Sequence, residues 1–421
     1  MRTCVILWLT INFVKLVEQQ FIDKVKECSK CGICRSVCPV FLATNDEVMS
    51  PRGRVSLIEA MLEGSLSSSE RYIDTIRSCI KCTRCFGVCP SGVRTERIIQ
   101  SARGLLAQDA GIPDAVRRIF RSILSDPEAF RASLKNAVDF PSSLPLWQLP
   151  LLFHERAYLP KLATETVLDK YPEYIGVHGK KRVALFVGCA VNYAHTDIAD
   201  SAIEVLKKCN VDVFLPKEQL CCGAPMLLFG DVDTARELAR RNLAALRADE
   251  FDAVVTLCPA CGVTLKREYE HIIGSDIESF VSKVCDISEF IAKLGDYEPY
   301  WTDMVVTYHD PCYLRFGQKV IAEPRRILNS IARFVEMKDA DRCCGLGGAL
   351  GLFHPEISTK IAEAKVKAIV ESGADIVATG CPGCIIFLRE QLARRGIQKD
   401  VLHTMQVLEL RGFASSRDGR P

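Results

Sequence analysis

Five cysteines are written twice in this chain, and that duplication limits what it can fold into more than any other feature. Cys189, Cys221, Cys222, Cys258 and Cys261 form one set; Cys312, Cys343, Cys344, Cys381 and Cys384 follow in the same order, each 122 or 123 residues after its counterpart. In both sets the middle pair runs into glycine (Cys221-Cys222-Gly223, Cys343-Cys344-Gly345) and the last pair reads C-P-x-C. The flanks repeat as well. Val183 to Val187 precedes Cys189 as Val305 to His309 precedes Cys312, and Ala253 to Leu257 leads into Cys258 as Ile376 to Gly380 leads into Cys381. A repeat on this scale is a tandem duplication of one structural unit. Ten cysteines held in register through both copies are best explained as ten ligands.

Within the first copy, Val183 to Val187, Val211 to Leu215 and Ala253 to Leu257 read as strands. Between and after them, Ala199 to Lys208, Thr234 to Arg247 and the residues from Val263 onward carry the helical pattern. Such alternation implies a parallel sheet with helices over it. It places the cysteines at the carboxyl ends of strands, where ligands gather in open α/β sheets. Each C-P-x-C follows a strand and opens a helix, whose free N–H groups favour anionic sulfur. Cys209 and Cys285 stand outside the repeated pattern and read as core residues.

Two further groups of cysteines near the start are of a different kind. Cys28, Cys31, Cys34 and Cys38-Pro39 match C-x2-C-x2-C-x3-C-P, and so do Cys79, Cys82, Cys85 and Cys89-Pro90. This is the run of bacterial two-cluster ferredoxins, in which the fourth cysteine of each run ligates the other cluster. The expected groups are Cys28, Cys31, Cys34 and Cys89 on one [4Fe-4S] centre, and Cys79, Cys82, Cys85 and Cys38 on its neighbour. A pair of zinc sites would need only two C-x2-C pairs per metal and would leave the fourth, proline-followed cysteine unexplained. Forty residues separate Cys38 from Cys79. Val55 to Leu62 and Glu70 to Ile76 read there as helices around a Gly/Ser-rich turn, which points to a helical ferredoxin domain. Residues 1–125 carry 18 Lys and Arg against 12 Asp and Glu. Two thiolate-bound clusters would add about −4, so this basicity is cluster compensation and not the mark of a polyanionic partner.

The whole chain is nearly neutral, at +2, with no basic run, which argues against a nucleic-acid binder. Its 21 cysteines in 421 residues fit metal or cluster ligation in a reducing cytosol better than a disulfide scaffold. Cys4 to Val14 resembles a signal-peptide core, but no small-residue cleavage site follows it, and a bilayer-spanning helix needs roughly 20 apolar residues. Residues 5–27 are expected to form a helix on the first cluster domain, with Cys4 a small apolar residue. From Ala110 to about Lys180 the chain is punctuated by prolines, with helical pieces giving way to an apolar strap, Phe140 to Leu162, that carries Trp147, Phe153 and His154. His154 and His178 read as surface or packing residues. The fold class is therefore α+β and multidomain: a helical two-cluster ferredoxin domain (1–125), a proline-rich connector (126–180), two tandem α/β cysteine-rich repeats (181–300 and 301–412) and a tail (413–421).

Two ferredoxin runs followed by two Cys…Cys-Cys-Gly…C-P-x-C repeats resemble the iron-sulfur subunit of glycolate oxidase. Its relatives, the lactate-utilisation and anaerobic glycerol-3-phosphate dehydrogenase iron-sulfur subunits, share the pattern. Ser50-Pro51-Arg52-Gly53-Arg54 is similar to a segment of the glycolate oxidase branch. The same repeat occurs in the catalytic subunit of heterodisulfide reductase, where five cysteines bind a non-cubane [4Fe-4S] cluster. That resemblance implies one such set at Cys189, Cys221, Cys222, Cys258 and Cys261 and another at Cys312, Cys343, Cys344, Cys381 and Cys384, giving one or two further clusters. Spacing alone says only that these cysteines can converge.

Gly345 to Gly351 is rich in glycine but lacks the G-x-G-x-x-G spacing and follows Cys343-Cys344 in place of a strand, so no flavin or nicotinamide fingerprint is present. His309-Asp310, just before Cys312, reads either as structural or as tuning a cluster. No residue is assigned a catalytic role. The resemblance implies an electron-transfer subunit of a flavin-dependent 2-hydroxyacid dehydrogenase of glycolate or D-lactate type. FAD would sit on a partner subunit only, with electrons leaving toward a quinone or other membrane acceptor, directly or through another subunit. A cytoplasmic location, at the inner face of the membrane, is expected. A subunit that reduces a disulfide at the repeat clusters is the alternative.

Overall fold

The computed structural model describes residues 23–109, 111–112, 117, 162–274, 276–295, 301–348 and 350–410. Of the expected N-terminal helix only the last turn falls among them, helical at 23–26 with Val25 buried. Cys4, nearly all of the apolar strap and the tail lie outside the described residues.

The ferredoxin region is built of helices whose starts are written in the sequence. Ser50 accepts a hydrogen bond from the Gly53 amide at 2.9 Å and Pro51 occupies the first turn, so the helix Pro51–Leu62 begins earlier than its apolar periodicity suggests. Ser69 caps Glu70–Arg77 in the same way, through the Tyr72 amide. With Thr95–Asp109 these helices bury Val55, Ile58, Tyr72, Ile76, Ile98, Ile99 and Leu106 in a small core of their own.

Two sheets follow, one per repeat. The first comprises β1 (Tyr174–Ile175), β2 (Lys181–Phe186), β3 (Val211–Phe214), β4 (Ala253–Thr256) and β5 (Val284–Asp286), in the order β1-β3-β2-β4-β5. The second comprises β6 (Thr302–Tyr308), β7 (Ala332–Phe334), β8 (Ile376–Thr379) and β9 (Asp400–His403), in the order β7-β6-β8-β9. Apart from antiparallel β1, every pairing is parallel, and the order of the second sheet copies β3-β2-β4-β5. Val183 to Phe186 and Val254 to Thr256 are buried on both faces, which is why they read as unbroken apolar runs. β1 lies in the segment expected to be connector, so the first sheet starts before residue 181.

The repeats do not stand apart. Ile287–Leu294, which follows β5, packs on Ala322–Ile331 of the second repeat, and Thr404–Glu409, which follows β9, packs on Thr196–Lys208 of the first. This reciprocal exchange merges Leu185, Val255, Val377 and Leu388 into one continuous core. In each sheet the winding direction reverses between the two central strands, β2 and β4 or β6 and β8, and a crevice opens beyond their carboxyl ends at such a reversal. Cys189 and Cys258 flank the first crevice, Cys312 and Cys381 the second. Among the described residues no helix is long and apolar enough to cross a membrane.

Candidate metal centres

The two ferredoxin runs adopt the same backbone curl. Lys30 and Gly32 in the first, and Lys81 and Thr83 in the second, all have positive φ (57°, 88°, 52° and 63°), which turns the first three sulfurs of each run toward a common centre. Cys28, Cys31, Cys34 and Cys89 line one cavity, with Lys30, Arg52 and Val55. Cys38, Cys79, Cys82 and Cys85 line a second, with Arg54, Lys81 and Glu96. The fourth cysteine of each run thus sits with the first three of the other, although Cys85 borders both cavities. Cys38 caps Pro39–Thr44, its sulfur accepting from the Phe41 amide, and the Cys89 sulfur accepts from the Val93 amide at 3.3 Å.

The cavities differ in exposure. Cys31 is exposed, whereas Cys38 and Cys82 are buried. Backbone hydrogen bonding lowers the pKa of the Cys31 thiol, and burial raises those of Cys38 and Cys82. Ser50-Pro51-Arg52-Gly53-Arg54 runs between the cavities: Arg52 lines the first and Arg54 the second. Arg54, 1% exposed, donates to the Thr75 carbonyl at 2.9 Å and to Ser78 Oγ at 2.8 Å. The sequence marked this segment only by resemblance; its alternating arginines were the physical signal.

In the first repeat, Cys189 lies in Gly188–Tyr193 just beyond β2, and Cys221 Sγ comes to 3.9 Å from Cys189 Sγ. Cys222 hydrogen-bonds Cys221 and Cys261, and Cys261 hydrogen-bonds Cys258 at the N-cap of Pro259–Val263, so the five thiols form one connected group. Gly188 makes room for them. It has φ +71°, and a Cβ there would stand 2.8 Å from Cys261 Sγ. In the second repeat, Cys344 Sγ lies 3.4 Å from Cys384 Sγ and hydrogen-bonds Cys343, Cys381 hydrogen-bonds Cys384, and Cys312 packs with Cys343. Hydrogen bonds shared between neighbouring thiols hold Cys222, Cys258 and Cys344 well below the usual thiol range and push Cys221, Cys261, Cys343, Cys381 and Cys384 well above it. None of the described cysteines forms a disulfide. Buried and half-buried thiols crowded into two groups and left unbridged suit iron-sulfur ligation.

Four contacts had no signal in the spacing. Cys258 and Cys381 hydrogen-bond each other across the repeat boundary, so the two groups abut. Cys38 and Cys82 pack in one cluster with Cys343, Cys312 and Ile80, which joins the buried ferredoxin cavity to the second repeat. The glycine-rich Gly345 to Gly351 serves this junction: a Cβ on Gly347 would lie 2.4 Å from Ile80 Cγ2. Arg84 clasps the junction from outside, pairing with Asp341 at 3.2 Å. His309 resolves toward the site. It is fully buried, its ring nitrogens lack conventional hydrogen bonds among the described residues, and it forms a group within 4.8 Å with the sulfurs of Cys344 and Cys384. Burial lowers its pKa, partly opposed by Cys344. Asp310 turns away to Arg315 and Arg325, at 3.0 and 2.8 Å. Of the residues set aside, Cys209 is buried in the core, Cys285 is half-buried against it, and His178 is exposed.

Comparison with known proteins agrees with this layout. The family described as "Cysteine-rich domain" matches residues 183–266 and 306–389, and "4Fe-4S dicluster domain" matches 24–93. The chain is 31% identical to the "Probable glycolate oxidase iron-sulfur subunit" of Bacillus subtilis over 92% of its own length and 95% of that protein's. It is 27% identical to the "Glycolate oxidase iron-sulfur subunit" of Escherichia coli, over 91% and 93%. It is also 26% identical, over 89% and 90%, to a subunit of the dihydromethanophenazine:CoB--CoM heterodisulfide reductase of Methanosarcina acetivorans.

Proposed function

The chain belongs to the glycolate oxidase iron-sulfur subunit family, and from that premise we propose that it is the electron-transfer subunit of a flavin-dependent 2-hydroxyacid dehydrogenase, of glycolate or D-lactate type. The redox role belongs to the whole family; substrate, partner and acceptor are the finer reading. The observation that carries it is the continuity of thiol groups, from exposed Cys31 through buried Cys82 to Cys312 and on to Cys258 beside Cys381.

The residues fit [4Fe-4S] groups at the two ferredoxin cavities and further iron-sulfur groups at the two repeat sets. When bound, such groups accept and release single electrons without moving heavy atoms. The protein's part is to hold them in sequence, exclude water from all but the first, and supply compensating charge. Cys28, Cys31, Cys34 and Cys89 would hold the solvent-facing group, and Cys38, Cys79, Cys82 and Cys85 its buried neighbour. The two repeat sets, Cys189 to Cys261 and Cys312 to Cys384, would hold the rest. Among the described residues none is suited to take a hydride from an α-carbon, which is work for a flavin and a base on a partner. The quinone acceptor and a place at the inner face of the membrane belong to the same reading.

Mixing tests it. Purified anaerobically, the chain should be inert toward glycolate and D-lactate alone, and its iron-sulfur absorbance should bleach with one of them only after the FAD subunit is added. Bleaching without a flavoprotein would overturn the reading. The junction of Cys258 with Cys381 supports a second reading, disulfide reduction where the two repeat groups meet. In that case the lone chain, given an artificial reductant, cleaves a disulfide, and Cys221→Ser or Cys343→Ser abolishes the activity.

A further inference from the structure

The paired ferredoxin runs carry a lysine at the same place, Cys28-Ser29-Lys30-Cys31 and Cys79-Ile80-Lys81-Cys82, and both lysines have the same left-handed backbone. Their surroundings are opposite. The Lys30 side chain is 55% exposed and pairs with Glu59 on the surface at 2.7 Å. The Lys81 side chain is 9% exposed, lines the buried cavity, hydrogen-bonds Gln100 and lies 3.6 Å from Glu268, which is itself buried. Glu268 cannot neutralise it alone, because Arg97 binds the same carboxylate at 2.9 Å.

Other charges crowd this cavity. Arg54 lines it, and Arg103, 1% exposed, donates to the Cys79 carbonyl at 2.6 Å while its Nε and Nη1 have no hydrogen-bond partner among the described residues. Buried Arg54, Lys81 and Arg103 and half-buried Arg97 therefore meet buried Glu268 and Glu96, and Glu96 is already paired with Arg94 at 3.0 Å, so cations outnumber acids around the cavity. Buried unpaired cations are costly. A four-thiolate cluster carrying about −2 when oxidised balances them. Among the described charged residues, the exposed cavity is lined by Lys30 and Arg52, each paired with an acid at the surface.

We propose that Lys81 and its buried cation shell hold the Cys38, Cys79, Cys82 and Cys85 centre at a higher reduction potential than the Cys28, Cys31, Cys34 and Cys89 centre. Electrons entering at the exposed end then settle beside the second repeat. This rests on the cluster reading above. One electron, delivered by the flavoprotein partner, takes the buried centre from about −2 to about −3. Burial alone would oppose that extra charge, but it also strengthens each cation, since a unit charge acts about fourfold more strongly at an effective dielectric constant of 20 than in water. Salt further screens Lys30 and does not reach Lys81. The sign is therefore set by the shell.

Anaerobic redox titration of the full chain, followed by electron paramagnetic resonance of the two ferredoxin centres, reads both midpoints. Lys81→Met should lower the upper midpoint so that the reduced-to-oxidised ratio at the original midpoint falls about tenfold, or about 59 mV for one electron, with iron content unchanged. Glu268→Gln should shift the same midpoint upward, and Lys30→Met should move neither by a comparable amount. If Lys81→Met sheds iron, the upward shift in Glu268→Gln carries the test. Equal effects from Lys30 and Lys81, no shift in either buried variant, or the same sign from Lys81→Met and Glu268→Gln would overturn the proposal. Absence of iron and labile sulfide from the unaltered chain would instead sink the cluster reading beneath it.

Discussion

The two cysteine-rich repeats share five ligand-type residues, one strand order and one helix exchange, yet they face different neighbours. In the first, β2 runs through Phe186-Val187-Gly188 into Cys189; in the second, β6 runs through Tyr308-His309-Asp310-Pro311 into Cys312. His309 comes against Cys344 and Cys384, whereas by strand register the apolar Phe186 holds the matching place. The second repeat meets the buried ferredoxin cavity through sulfur and apolar side chains, and the first meets it through charge, at Glu268. Duplication preserved the scaffold, and a few substitutions at strand ends and in one glycine-rich loop made the copies unequal. On this account the second repeat is the one wired to the ferredoxin centres.

The largest expected effect separates ligands from bystanders. Cys82→Ser should remove or damage one ferredoxin centre, up to about a quarter of the iron, and interrupt electron flow into the second repeat. Cys209→Ser, in the shared core, should leave iron nearly unchanged. Iron analysis of both decides it, and equal losses would break the distinction.

A middle-sized effect is expected at the junction. Gly347→Ala forces a methyl to within 2.4 Å of Ile80, which should cost about 1 to 3 kcal/mol in thermal unfolding and slow electron passage between ferredoxin and repeat centres. Stopped-flow reduction of the intact chain measures the rate. An unchanged rate would mean that the second repeat is not wired there.

Effects confined to stability lie at two matching helix caps. His403 pairs with Thr379 across β8 and β9 as Asp286 pairs with Thr256 across β4 and β5, and both are fully buried. Burial lowers the His403 pKa to about 4, consistent with Nδ1 accepting from the Met405 amide and with Nε2 bonded to the Gly380 carbonyl. The unfolded chain binds a proton near pH 6.5 that the folded chain refuses, so this stability is present above pH 6.5. It is lost as pH falls toward 4, by on the order of 3 kcal/mol. Burial raises the Asp286 pKa to about 7, so its contribution runs the other way, lost as pH rises from about 4 to 7. Thermal midpoints at pH 5 and 8 should show His403→Gln relieving the acid loss and Asp286→Asn stabilising mainly at pH 8. Parallel shifts in both would show that the caps do not titrate as their burial requires.

Much of this was legible before the structure. Parallel strands buried on both faces leave apolar runs such as Val183 to Phe186, and Ser50 and Ser69 announce their helices by capping chemistry. β1 and β5 went unread because two or three residues carry no periodicity and their pairing is set by neighbours distant in sequence. The same reason hid the meeting of Cys258 with Cys381 and the seat of Ile80 against Gly347. Spacing reports ligands along the chain, and packing alone brings the groups together. Lys30 and Lys81 make the point most sharply, being equal in sequence context and opposite in environment.

The central claim, that all four cysteine groups hold iron-sulfur centres, is tested most directly by metal and labile sulfide analysis of the chain purified without oxygen. One [4Fe-4S] in each group gives about 16 iron and as many sulfides per chain. Zinc without sulfide would contradict the claim outright, and about 8 iron would leave the repeat groups empty and confine electron transfer to the ferredoxin region.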